Sequence, residues 1–440
     1  MLSIIGLFVI LTIVIMLLSG KVLPNVAMTI IPIIGALLAG FSFHDIGIFF
    51  NSGFNTVIHI AIMFIFAILY FGIMQDVGLF TPLVKFVVRF AGGSAITISL
   101  GTVIIAAVAH LEGSGAATFL ITIPLLLPIY KELKMSPYLL VLLIGASASI
   151  MNMIPWAGPV GRISSVINVS PIAFWYPLIQ IQVLGILFLL VLTVFLAVRE
   201  KKRIANGYNL RNNLSPVQDA TIADKQKIVE INPYVLRKNM YMFNLLLTFI
   251  LITSLVIGEI PPELSFIIAL AIALPANFTN IHDRIERIYA HSSGALMMAL
   301  IIISAGVFLG VLGDSGMLRA LSNSIIHILP DGILSHITTI VSIFGVPLEL
   351  VLNTDAYYFA LLPLVSEISN TYSVSPEATS YMMLVGNVAG TFISPFSPAL
   401  WLAVGLAGID IGKYIKYSIL WIWLISLFLL ACTKILILQV

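Results

Sequence analysis

Along this chain hydrophobic residues come in long unbroken runs separated by short polar stretches. That pattern predicts helices apolar on every side, not the one-sided stripes of a water-soluble fold. The runs lie near residues 2–19, 22–40, 55–74, 94–109, 114–130, 137–153, 172–198, 240–258, 262–278, 292–312, 333–351, 355–368, 376–391 and 417–438. A bilayer-spanning helix takes about 17–25 residues, so most of them are candidate spans. Two adjacent pairs differ from the rest. Runs 94–109 and 114–130 meet at His110-Leu111-Glu112-Gly113-Ser114-Gly115, and runs 333–351 and 355–368 meet at Leu352-Asn353-Thr354-Asp355. Polar, acidic or glycine-rich tips between short apolar legs predict re-entrant hairpins, whose non-helical backbone is tolerated only inside protein or beside a water-filled cavity.

The pattern occurs twice. His44-Asp45 and Gly72-x3-Asp76-x-Gly78 recur 238 residues later as His282-Asp283 and Gly310-x3-Asp314-x-Gly316. After one inserted residue, Pro124, Ser136-Pro137, Ile154 and Pro159 recur 239 residues later as Pro363, Ser375-Pro376, Ile393 and Pro398. Internal duplication in so apolar a chain predicts a secondary transporter with its site where the halves meet. Each hairpin is followed by an interrupted run, Asn152 to Arg162 in one half and Gly390 to Pro398 in the other. Pro155 with Pro159, and Pro395 with Pro398, remove donors and prevent a continuous helix. Matching interruptions in both halves point to the transport site.

Basic residues orient the chain. The polar stretch from Arg199 to Lys238 holds nine of the 21 Lys and Arg and is expected on the cytoplasmic side. With each hairpin entering and leaving on one side, Lys21, Lys85, Arg89, Lys131, Lys134, Arg284, Arg287, Lys413 and Lys416 fall there as well. Arg162 lies within a span, and only Arg319 and Lys434 lie outside. Five crossings per half is an odd number, which inverts one half relative to the other and puts both termini outside. The expected fold is an all-α polytopic membrane protein of two inverted-topology repeats, each with about five spanning helices, one re-entrant hairpin and one broken helix. Residues 1–198 form the first transmembrane repeat, 199–239 a cytoplasmic linker and 240–440 the second repeat. Stretches 79–93 and 317–330 are amphipathic and are expected to lie along the interface, joining each scaffold to its hairpin.

Composition narrows the class. Hydrophobic residues make up 60% and charged residues 9%, against about 25% charged in a soluble domain. A net charge of +2 offers nothing to nucleic acid, and the single Cys432 excludes internal disulfides and cysteine metal clusters. Residues 2–19 lack a basic start and a small-residue cleavage site, and read as a retained span. There is no phosphate-binding glycine loop ending in Lys-Ser/Thr, no His-Glu-x-x-His and no Gly-x-Ser-x-Gly, so neither an ATP-driven pump nor a hydrolase is indicated.

Ionisable groups at bilayer depth are functional candidates by default. His110 and Glu112 at the first tip and Asp355 at the second are therefore candidates for proton or cation coupling, with Glu112 and Asp355 as candidate metal ligands. Gly113 and Gly115 free the backbone around Ser114. The helix starting there turns its positive end toward the tip, which suits an anion. Arg162 could clamp a carboxylate through parallel hydrogen bonds, snorkel to the interface, or pair with a structural acid. Hydroxyl, amide and glycine positions at tips and breaks complete the substrate-binding set: Ser114, Gly115, Asn152, Gly158, Asn353, Thr354, Thr391, Ser394 and Ser397. Asp76 and Asp314 read as helix-end turns, Glu132 and Glu367 as solvated, and His59, His291, His327 and His336 show no metal-ligand spacing. These residues lead to an ion-coupled secondary transporter for a small anion, with a cation–proton antiporter on the same scaffold as the alternative. Missing catalytic clusters argue against an enzyme, and the missing soluble output domain against a sensor.

At these same residues the chain resembles the citrate–divalent metal–proton symporters of the ion transporter superfamily. The resemblance is carried by His110-Leu111-Glu112-Gly113-Ser114-Gly115-Ala116-Ala117-Thr118 and by Pro155-Trp156-Ala157-Gly158-Pro159 with Arg162. In the second half it is carried by Asn353-Thr354-Asp355-Ala356-Tyr357-Tyr358-Phe359, Ile393-Ser394-Pro395 and Val404-Gly405-Leu406-Ala407. It implies proton-coupled uptake of citrate as a complex with a divalent cation of the Mg2+ or Ca2+ class, with no tightly bound cofactor. It also implies elevator-like movement of the hairpin domain and a homodimer, multi-pass in the plasma membrane. The chain departs from the family pattern at the first tip, where Glu112 and Ser114 replace two aspartates. The loss of one carboxylate keeps a metal-independent di- or tricarboxylate symporter open as a further reading.

Overall fold

Helix starts in this chain are set by side chains that satisfy the first free amides. The Ser42 hydroxyl accepts from the Asp45 N–H at 3.2 Å, and the Asp45 carboxylate accepts from the Ser42 N–H at 2.9 Å, a reciprocal capping box. Asn280, Ser375 and Asp410 cap three further helices in the same sense. Pro24, Pro137, Pro262, Pro376 and Pro398 sit in first turns, where a missing N–H is harmless.

The structure is a computed structural model that describes residues 1–18, 21–79, 82, 94–205, 237–328 and 330–438. Among them all regular structure is helical. The first half runs α1 (Leu2–Leu18), α2 (Pro24–Leu38), α3 (Phe43–Asp76), α4 (Ala95–Ala109), a 3-10 turn (His110–Glu112), α5 (Gly115–Glu132), α6 (Pro137–Met151), α7 (Gly158–Ile167) and α8 (Pro171–Ala205). The second runs α9 (Tyr241–Ile257), α10 (Pro262–Asn277), α11 (Ile281–Asp314), α12 (Met317–Ile328) and the short α13 (Asp331–Leu334), α14 (Ile337–Ile343) and α15 (Gly345–Glu349). A π-helical turn (Ala356–Leu361) leads into α16 (Leu362–Thr371), followed by α17 (Pro376–Val388), a 3-10 turn (Ala389–Phe392), α18 (Pro398–Ala407) and α19 (Ile411–Leu436). Both ends of α1 recur in α9 after 239 residues, and both ends of α3 recur in α11 after 238. Among the described residues five helices are long and apolar enough to cross a membrane: Phe43–Asp76, Ala95–Glu112, Pro171–Ala205, Ile281–Asp314 and Ile411–Leu436.

Three expectations are corrected in extent. The helices α3 and α11 begin well before the apolar runs at 55 and 292, because Ser42 and Asn280 cap them upstream and their polar first turns face outward. At 34 residues each is about 51 Å long, which exceeds a hydrocarbon core of about 30 Å. The run at 333–351 is not one leg but α13, α14 and α15, with Pro347 withholding a donor in the last of them. The linker expected from residue 199 continues α8 as helix to Ala205. Its residues 206–236, and nearly all of the amphipathic stretch at 79–93 with Lys85 and Arg89, lie outside the described residues; the matching stretch at 317–330 contains α12.

Two large hydrophobic cores each draw on both halves. One gathers buried residues from Ile98 to Leu196 with residues from Val346 to Leu430. The other joins Val57 to Leu79, Ile154 and Trp156 with residues from Leu247 to Ile302. In the second core α3 and α11 run antiparallel, since Gly53 meets Gly306 and Gly310 while Gly72 meets His291. A Cβ on Gly53 would overlap the Gly306 carbonyl oxygen, so only glycine lets these two backbones touch.

Candidate functional site

The first tip closes with Gly113 in the left-handed region (φ +83°), where a side chain would be strained. Ser114 then caps α5, its hydroxyl accepting from the Ala117 N–H at 3.4 Å. The tip rests on the first break: the Trp156 indole N–H donates to the Leu111 carbonyl at 2.7 Å, and a Cβ on Gly113 would lie 3.1 Å from the Trp156 carbonyl oxygen. Trp156 itself stacks on Phe71 of α3, with centroids 4.7 Å apart. His110 is fully buried. Its Nδ1 lies 2.8 Å from Thr118 Oγ1 and its Nε2 3.3 Å from Asn152 Oδ1. Glu112 is buried too, and its Oε2 accepts no hydrogen bond among the described residues. The ionisable side chains that act on it are Asp76 and His291, which bond each other at 2.9 Å beside Arg287.

The second tip is built around a residue that sequence reasoning passed over. Glu349, at the end of α15, has no solvent exposure. Its Oε1 accepts from the Thr354 hydroxyl and its Oε2 from the Asn387 amide, both at 2.7 Å. The Ser394 hydroxyl donates to its backbone carbonyl at 2.8 Å, and Gly390 packs on its side chain. Asn353 Oδ1 accepts from the Ala356 N–H at 2.8 Å and its Nδ2 donates to the Leu17 carbonyl at 3.3 Å, which ties the tip to α1. The Arg162 Nε donates to Asp355 Oδ1 at 2.7 Å, with only 11% and 13% of the two side chains exposed. In this structure Arg162 is paired with an acid. It uses Nε alone, so the two Nη nitrogens stay outside the pair.

A single turn joins the two groups. Gly390 faces Glu349, and two residues on, Phe392 packs edge-on against His110 with centroids 5.7 Å apart. Gly115 is seated on that same Phe392 ring, and the Ser149 hydroxyl donates to the Ala389 carbonyl at 3.1 Å. Of the expected residues, His110 and Asn152 thus gather with Thr118, and Thr354 and Ser394 gather around Glu349, with Arg162–Asp355 beside the latter group. Three are bound up in local structure. Thr391 donates to the Val388 carbonyl at 2.8 Å, Ser397 starts α18 without a side-chain cap, and Gly158 makes room for the Arg162 guanidinium. Among the described residues the one group of three acidic or imidazole side chains close enough to share an ion is His282, Asp283 and Glu286, at the largely exposed start of α11. Glu112 and Asp355 belong to no such cage, so a divalent cation held here would bring most of its oxygen ligands with it.

Comparison with known proteins agrees with this architecture. The chain is 31% identical over 421 residues to the citrate transporter of Bacillus subtilis (strain 168), covering 96% of this chain and 95% of that one. It is 32% identical over 421 residues to the Mg(2+)/citrate complex secondary transporter of the same organism, with the same coverage. Among solved structures it shares the fold of the Alcanivorax borkumensis YdaH transporter, with a TM-score of 0.59, 16% identity and 87% of each chain covered. The profile of the family described as CitMHS, citrate transporter, matches residues 1–386. With that match over most of its length and two relatives aligned end to end, this multi-pass membrane protein belongs to the CitMHS citrate-transporter family, whose members are transporters and not enzymes.

Proposed function

We propose that the protein is a secondary transporter that takes up citrate as a complex with a divalent cation, coupled to protons, by alternating exposure of a site between its two tips. The observation that carries this reading is the convergence of both chain breaks and both tips on buried polar groups, His110, Glu349 and the Arg162–Asp355 pair, inside an otherwise apolar body. The substrate follows from the relatives: one is a citrate transporter and another a Mg(2+)/citrate complex secondary transporter. An anion suits the free Nη nitrogens of Arg162 and the start of α5 behind Ser114.

Inverted topology is supported by α3 and α11, which occupy corresponding positions and run antiparallel. Under a two-fold relation the contact of Gly53 with Gly310 requires one between residues 72 and 291, and Gly72 does meet His291. Elevator-like movement of the hairpins is supported by the two cores, since one holds the hairpin legs with α8 and α19 and the other holds α3 and α11. The homodimer belongs to the same reading.

The test is uptake of labelled citrate into proteoliposomes under an inward proton gradient, with and without Mg2+ or Ca2+. Uptake should need both gradient and metal. Metal-independent uptake would replace the complex with free carboxylate, and cation-driven proton movement without citrate uptake would replace the symporter with an antiporter.

A further inference from the structure

Both tips contain the same small device. Position 110 corresponds to position 349, 239 residues on, and each holds a titratable side chain with 0% exposure at the end of a hairpin's first leg. Each is bonded to a threonine hydroxyl, from the second leg in one case and from the tip itself in the other, and to an asparagine at or near the end of the helix before the break. These are Thr118 and Asn152 for His110, and Thr354 and Asn387 for Glu349.

The second copy reaches into the proposed substrate site. Thr354 has one hydroxyl proton, and here it is given to Glu349 Oε1. A substrate carboxylate bound at this tip needs the same proton. If it takes it, an ionised Glu349 keeps only the Asn387 amide, in a place where an unpaired charge is strongly disfavoured. One proton added to Glu349 resolves the conflict. Its new O–H donates to the Thr354 oxygen, and the Thr354 O–H turns to the substrate. Asn387 Oδ1, buried without a partner among the described residues, marks an acceptor that a turn of the amide would bring to the same carboxyl. The other charged or titratable groups around Glu349 are Arg162, Asp355, Tyr357 and Tyr358, and the first two already hold each other.

We propose that Glu349 is the coupling carboxyl of the second tip, taking up one proton from solution when a substrate carboxylate draws the Thr354 hydroxyl away from it. This rests on the carboxylate-transport reading above. Substrate and proton then bind with positive linkage, and each raises the affinity for the other by the same factor.

The experiment adds citrate with Mg2+ to purified protein in weakly buffered detergent and follows protons with a pH indicator and affinity by calorimetry. The wild type should take up about one proton more per bound complex than Glu349→Gln, which mimics the protonated carboxyl. Its affinity should rise up to about tenfold more per unit fall in pH, the limit for one linked proton. Citrate's own titration cancels in the comparison. Infrared difference spectra of the wild type, taken with 13C-labelled citrate so that ligand bands move aside, should show a protonated carboxyl appearing on binding. That measurement decides the matter even if the variant does not fold. Equal proton uptake by wild type and variant, or no new carboxyl band, overturns the assignment of Glu349. A wild type that binds no citrate with Mg2+ overturns the carboxylate-transport reading instead.

Discussion

Removing either member of the Arg162–Asp355 pair should destabilise the protein more than its share of removing both. The Nε to Oδ1 distance is 2.7 Å and the two side chains are 11% and 13% exposed, so the ions are largely withdrawn from water. With charge centres about 4 Å apart and an effective dielectric of about 20, their attraction is about 4 kcal/mol, opposed by the desolvation of both groups. Arg162→Met leaves Asp355 buried without its counter-charge, and Asp355→Asn strands the guanidinium; each should lose about 3–5 kcal/mol. The double variant strands neither, so its loss should fall short of the sum of the single losses by about 2–4 kcal/mol. Unfolding of all four proteins in mixed micelles by a graded denaturant measures the cycle. Single losses that add to within about 0.5 kcal/mol would refute the argument, because they would mean that the two charges act independently.

Three further outcomes are expected. Arg162→Lys keeps the charge but loses the planar fork, so citrate affinity should fall at least tenfold in equilibrium binding while the protein stays folded; unchanged affinity would remove Arg162 from the site. Gly53→Ala drives a methyl into the Gly306 carbonyl and should lose about 1–3 kcal/mol by thermal or denaturant unfolding. Gly313→Ala in the same helix pair meets nothing within 4 Å and should be neutral or slightly stabilising.

The parts of this fold that were legible in the sequence are those set by local chemistry. The polar tips, the proline-marked breaks and the duplicated offsets are patterns of near neighbours, and they lead directly to the helix ends at residues 110–115 and 352–355 and to helices whose boundaries repeat. Glu349 was hidden because it closes an apolar run and looks like the polar end of a hydrophobic leg. The signal that could have found it was its 239-residue correspondence with His110. His291 was likewise set aside for want of metal-ligand spacing, yet its partner Asp76 lies 215 residues away on a helix that only folding brings alongside. The pairing of Arg162 with Asp355 could not be read from neighbours either, since the two are 193 residues apart. The early starts of α3 and α11 escaped the hydropathy pattern because a capped helix continues through polar turns once its backbone is satisfied.

One pair of contacts in the long-helix scaffold would be identical in a perfect duplicate and is not. At one end Gly53 lets two backbones meet; at the other, the corresponding position is His291, whose ring is wedged against Gly72 and anchored by Asp76. On the inverted reading, two indistinguishable halves would leave the protein indifferent to which side of the bilayer it opens toward. A tight seam at one end and a hydrogen-bonded imidazole wedge at the other lift that degeneracy, so on that reading the two orientations would differ in energy before any substrate or gradient acts on the frame.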